Sequence, residues 1–142
     1  MSTCRKVMET WFHRVWTEED SAAIEELFVP DGEARGLGAN VLIGPEGFKQ
    51  FHTALRGLLS DFVITIDKSI ESGEWLAVVC TLQAKSKQTG DPVVTTGSVV
   101  VRIVDGKLIE AYNHWDFLGL FSQLGLLPGS TFERALSGQK VI

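Results

Sequence analysis

The chain has 142 residues, of which 44% are hydrophobic and 22% charged, and a formal net charge of −5. That length suits one domain able to bury its own core, and this composition excludes a disordered chain. The acidic balance, with Lys and Arg scattered, argues against a nucleic-acid partner, which requires a basic face.

Val7, Met8, Trp11 and Val15 recur at helical spacing and predict a first helix, interrupted by Thr17, Glu18, Glu19 and Asp20. A second helix carries Ala23, Ile24, Leu27 and Phe28, and Pro30-Asp31-Gly32 should stop it. Residues 34–43 read as a short irregular strand pair around Gly36, Gly38 and Asn40. A third helix opens at Gly44-Pro45-Glu46, with Phe48, Phe51, Leu55, Leu58 and Leu59 as its buried stripe. Strands then follow over residues 62–70, 75–85, 93–104 and 107–115, separated by Gly-containing breaks. Strands joined by short turns after helices predict an α+β domain with an antiparallel or mixed sheet. Cys4 and Cys80 are too few and too distant for a disulfide framework, and Cys80 reads as a small core residue. No run approaches the roughly 20 apolar residues of a membrane span, and no apolar stretch follows Arg5 and Lys6 as a secretory signal requires. A cytoplasmic location is the expectation.

The chemistry concentrates near the end of the last strand. Asp105-Gly106 signals a two-residue hairpin turn, because both positions need positive φ. Pairing about that turn sets Val101 opposite Glu110, Val99 opposite Tyr112, Gly97 opposite His114 and Thr95 opposite Asp116. With a side-chain period of two, Tyr112, His114 and Asp116 share one face, and small Gly97 leaves a gap beside them. On this reading the three form an acid/base site, with Asp116 as the general base or acid and His114 or Tyr112 donating a hydrogen bond beside it. A carboxylate in an apolar pocket titrates nearer neutrality, which suits acid/base work. Asp116 also reads as the N-cap of an apolar segment over residues 117–124. Thr95, His52 and Trp11 are the further candidates for binding a small apolar ligand.

Residues 105–128 resemble the C-terminal signature of the SnoaL-like polyketide cyclases through Asp105, Gly106, Lys107, Ile109, Glu110, Asp116, Leu118, Gly119, Leu120, Gln123, Leu124 and Gly125. Residues 15–31 and the Gly44-Pro45-Glu46-Gly47 helix start are similar to earlier parts of that family, in matching order. The resemblance implies a cone-shaped α+β fold of the nuclear transport factor 2 type, with a pocket between helices and a strongly curved sheet. It implies a cofactor-independent enzyme acting on a small, largely apolar carbonyl compound. The chain departs from the pattern at Tyr112, where the family has Trp, and over residues 84–92 and 33–36. Those departures favour the alternative, a non-catalytic ligand-binding or scaffold dimer.

Other chemistries find no motif. The three His, at positions 13, 52 and 114, are not spaced for a metal, and no Gly-rich loop opens a helix for a nucleotide. The outer sheet face, with Val100, Ala111 and Trp115, is expected to form a homodimer interface.

Overall fold

The computed structural model describes residues 3–142. Helix α1 (Thr3–Trp11) buries Cys4, Met8 and Trp11 on one stripe, as their spacing dictates. It passes directly into a π-helical turn, Phe12–Thr17, which buries Phe12, Val15 and Trp16. The wider turn sends the Glu18 N–H to the His13 carbonyl (2.8 Å) and the Asp20 N–H to the Arg14 carbonyl (2.9 Å).

Helix α2 (Ala22–Leu27) ends as expected, but no turn follows. Strand β1 (Phe28–Arg35) runs through Pro30-Asp31-Gly32. Its pairing shifts between Phe28 and Glu33, and that irregularity accommodates a Pro that has no N–H to give. The two-residue strand β2 (Leu42–Ile43) precedes helix α3 (Gly44–Leu58), whose inner face carries Phe48, His52 and Leu55. Strands β3 (Leu59–Ser72), β4 (Trp75–Ser86), β5 (Pro92–Val104) and β6 (Lys107–Trp115) form the meander, followed by α4 (Phe117–Gln123) and α5 (Thr131–Leu136).

The sheet order is β2-β1-β6-β5-β4-β3, antiparallel except where β1 lies parallel to β6. That parallel pair makes the sheet mixed and brings the N-terminal helices over its inner face. There the buried core collects Trp11, Phe12, Trp16, Phe28, Phe48 and Phe62.

The β5–β6 hairpin turns at Asp105-Gly106 with φ of 52° and 74°, as its residue types require. Its register then departs from simple pairing. Arg102 pairs with Glu110 but Ile103 with Leu108, so Ile109 is an extra residue, a β-bulge beside the turn. Beyond it Val101 faces Ala111, Val99 faces Asn113 and Gly97 faces Trp115.

Gly36 closes β1 with φ +87°, and a Cβ there would collide with the Asn113 carbonyl of β6. Gly57, inside α3, has ordinary backbone angles and nothing within 4 Å of the Cβ position. Gly36→Ala should therefore cost about 2 kcal/mol or more of stability, from a left-handed side-chain residue plus a backbone clash. Gly57→Ala should instead add about 0.5–1 kcal/mol. Urea unfolding of both variants checks the pair, and the same sign for the two would contradict the fold described.

Candidate functional site

The bulge at Ile109 inverts the expected faces of β6. Tyr112 and His114 are exposed on the outer face, opposite Val100 and Ser98. The inner face carries Ala111 and Asn113, both buried, and half-buried Trp115. Tyr112, His114 and Asp116 therefore do not converge on one pocket. The gap expected beside Gly97 is filled, because the Trp115 ring lies where a Cβ on Gly97 would sit. Ala111 and Trp115 likewise leave the proposed outer patch, where only Val100 of the three remains exposed.

A cavity does lie between sheet and helices, with about 60 Å³ open to the centre of a water-sized sphere. One water needs roughly 10–15 Å³ on that measure, so the space holds several. Nine aromatic side chains line it: Trp11, Phe12 and Trp16 from the first helical segment, Phe28, Phe48, Phe51 and Phe62, and Trp115 and Phe117 at the end of β6. Of the expected ligand contacts, Trp11 and Thr95 face this cavity, while His52 and Gly97 are not among its lining residues.

Two lining residues bring a hydroxyl and an amide, and none is ionisable. Thr95 Oγ1 donates to the Asp116 backbone carbonyl at 2.9 Å. Asn113 Nδ2 donates to the Arg35 carbonyl at 3.0 Å, which fixes the orientation of its amide. Asn113 escapes sequence reasoning because the bulge sets its face; its only signal is a polar residue amid strand apolars.

Asp116 lies between two cavity-lining residues but is itself exposed. Its Oδ1 accepts from the Gly119 N–H at 2.8 Å, capping α4. A Cβ at Gly119 would crowd the Asp116 carboxylate as it now sits, so glycine lets the cap lie close against the helix. Leu120, one residue on, is fully buried under the helix. At the other end of α4 the Gln123 side chain accepts from the Val94 N–H (2.9 Å) and donates to the Val94 carbonyl (2.7 Å). The Asp-x-x-Gly-Leu-x-x-Gln pattern of residues 116–123 is thus a device for seating one helix on β5 and over the cavity.

His52 is fully buried behind the cavity wall, 4.7 Å from the Trp16 ring centroid. Its Nε2 donates to the Val15 carbonyl at 2.7 Å, in the π-helical turn. Desolvation holds its pKa below the ordinary histidine value, and Arg56 adds to the depression, while the hydrogen bond to Val15 opposes it. Burial pushes the Cys80 thiol up to about 12, with the Asp67 charge contributing, so Cys80 is not a nucleophile at neutral pH. Among the described residues no group of three or more His, Cys, Asp or Glu is placed to hold a metal. Among the described residues no helix is long and apolar enough to cross a membrane.

Helices on one face of a six-stranded mixed sheet, with an apolar cavity between, define a nuclear transport factor 2-like, ketosteroid isomerase-like fold. The sequence profile of the SnoaL-like polyketide cyclases matches residues 6–124, and the chain belongs to that family. Membership supports a cyclase-type role. Among solved structures, TsrD from Streptomyces laurentii is 19% identical with a TM-score of 0.73, over 88% of this chain and 96% of that one. IdmH from Streptomyces antibioticus is 18% identical with a TM-score of 0.76, over 87% and 99%. A protein of ketosteroid isomerase-like fold from Catenulispora acidiphila, solved with trimethylamine, is 18% identical with a TM-score of 0.73, over 85% and 93%. These likenesses establish the fold. No curated protein matches the chain in sequence.

The His52 environment sets a pH dependence. Above about pH 6.5 the ring is neutral in both the folded and unfolded chain. As pH falls through that value the unfolded ring binds a proton that the folded one refuses, so stability is lost on acidification. His52→Gln keeps a donor for the Val15 carbonyl without the titration. Between pH 6.5 and 5.5 the wild type should lose up to about 1 kcal/mol more than the variant, the amount for an unfolded ring that starts half-protonated against a folded ring that stays neutral. Parallel urea midpoints for the two proteins across that range would remove the assignment.

Proposed function

We propose that the protein binds a small, neutral, largely apolar carbonyl compound in the aromatic cavity. The observation that carries this reading is the lining: nine aromatic rings, one hydroxyl, one amide and no ionisable group. Such a wall gives dispersion and hydrophobic stabilisation to a flat apolar body, while a charged ligand finds no partner to offset its desolvation. The second Asn113 Nδ2 proton is the donor for the ligand's carbonyl end, since the Thr95 hydroxyl proton is committed to the Asp116 carbonyl. A bicyclic ketone, 1-tetralone, is a suitable probe, and Trp11, Trp16 and Trp115 in the wall report its arrival by fluorescence. Ala111→Phe, which adds a ring from the sheet side, should weaken its binding at least about tenfold by occupying the space. Saturable quenching that the variant leaves untouched would place the ligand elsewhere.

A second reading keeps cofactor-independent acid/base catalysis, with Asp116 as the base. It is favoured by the position of Asp116 between Trp115 and Phe117, both in the cavity wall. The base would take a proton from the carbon next to the carbonyl, leaving an enolate whose oxygen can accept from the second Asn113 Nδ2 proton, the first being donated to the Arg35 carbonyl. His114, on the outer face, has no part in it. Asp116→Asn separates the readings, because Asn caps a helix about as well as Asp but accepts no proton. Exchange of the 1-tetralone α-hydrogens in D₂O, followed by NMR, should slow on the order of a hundredfold under the second reading. If wild type and variant exchange alike, only the binding reading survives.

We also propose a homodimer through the outer sheet face, on a corrected set of residues. Ile70, Ala77, Val100 and Tyr112 lie in one row across β3, β4, β5 and β6. Ile70, Val100 and Tyr112 are exposed, and Trp75 packs near Tyr112 with ring centroids 6.5 Å apart. An apolar row of this kind is a natural two-fold contact. Val100→Glu should shift sedimentation at micromolar concentration toward the monomer while leaving the cavity intact. A monomeric wild type sinks the proposal.

A further inference from the structure

We infer that Gln123 is a positioning residue that acts through helix α4, latching it as the movable wall through which ligand enters the cavity. The inference rests on the cavity being the ligand site. It begins from the sheet. Strand β6 ends at Trp115, opposite Gly97, and the last backbone bond across that seam runs from the Asp116 N–H to the Thr96 carbonyl at 3.0 Å. In an antiparallel strand the N–H and C=O of alternate residues point to the same side. Val94 therefore directs both backbone groups to the side that β6 has vacated. The Gln123 amide supplies an acceptor and a donor there, as one more peptide unit of β6 would.

The two ends of α4 are consequently held in different ways. The near end is fixed through the chain itself, by the Asp116 backbone bond and by Thr95 Oγ1 on the Asp116 carbonyl. The far end is held by polar contact through Gln123 and by apolar contact through Leu120 and half-buried Leu124. Phe117 and Leu120 are the cavity-lining residues of the helix. Breaking the two Gln123 bonds lets α4 swing about Asp116 and carries Leu120 away from the cavity. The rest of the wall belongs to the sheet, to α1 with its π-helical continuation, to α3 and, through Leu37, to the loop between β1 and β2; the strands and helices among these cannot part without unpacking the core.

Gln123→Met keeps length and packing but removes both bonds, and Gln123→Glu keeps only an acceptor for the Val94 N–H. Amide hydrogen exchange of the full chain is the first readout. With Gln123→Met, the Leu120 and Leu124 amides should exchange on the order of tenfold faster, with Gln123→Glu in between, while β4 and β5 amides stay unchanged. The second readout is stopped-flow binding of 1-tetralone. Association and dissociation should both accelerate on the order of tenfold in Gln123→Met, with the dissociation constant moving much less. Unaltered α4 exchange, or acceleration spread evenly over the sheet, overturns the latch. Local acceleration with unchanged ligand rates overturns α4 as the entrance. Should 1-tetralone fail to bind the wild type, the cavity reading falls and the entrance falls with it, and the exchange data alone decide whether Gln123 holds the helix.

Discussion

One extra residue in β6 governs what this protein can present to a ligand. The bulge at Ile109 advances the strand by one position, and a one-residue advance exchanges the two faces of everything beyond it. Without it the inner face would offer a phenol, an imidazole and a carboxylate from Tyr112, His114 and Asp116. With it the inner face offers Ala111, Asn113 and Trp115. The difference between an ionisable pocket and a neutral aromatic one is thus set by the hairpin's end, next to a turn remote from the cavity. The Trp115 ring seated on Gly97 is the packing consequence, since no residue with a Cβ can lie beneath it.

The end of the chain matched by the family shows how a motif rich in a carboxylate and an amide can be architectural. Asp116 and Gln123 each close backbone groups that the turn from strand to helix leaves open. Asp116 takes the Gly119 N–H at the helix start, and Gln123 takes both groups of Val94 where the ladder has run out. Gly119 lets the Asp116 carboxylate lie close against the first turn. The pattern therefore specifies the attitude of α4 over the cavity, and any chemistry carried by Asp116 is added to a carboxylate already committed to holding a helix.

The element types were legible in the sequence because their signals are local. Apolar spacing identifies α1, α2 and α3, and β4, β5 and β6 begin and end within a residue of where alternation and turn residues place them. The exceptions have physical causes. Pro30-Asp31-Gly32 reads as a stop, yet lies in β1, because a register irregularity removes the demand for a hydrogen bond from Pro30. The parallel pairing of β1 with β6 is a contact over some eighty residues and leaves no local trace. The face of β6 was lost for a different reason: residues 107–110, Lys-Leu-Ile-Glu, alternate equally well with or without a bulge, so the pattern near the turn does not register the extra residue. Trp11 and Thr95 line the cavity because their own helix and strand set their faces, whereas the face of Asn113 depends on the bulge and is not legible.

The position of the charges is consistent with a cavity that holds its contents by shape. Arg14 is engaged with Asp20 and Glu26, Arg56 with Glu19 and Arg102 with Glu74, all on the outside of the helices and strands. His52, buried behind the cavity wall, is kept neutral by desolvation and tied to the Val15 carbonyl of the π-helical turn. A wider helical turn there does two things at once: it frees a carbonyl for an imidazole that would otherwise lack a partner, and it carries Phe12 and Trp16 into the wall. The polar bond behind the wall and the aromatic surface in front of it are therefore parts of one arrangement, in which burying His52 without charge is what allows the lining to remain apolar.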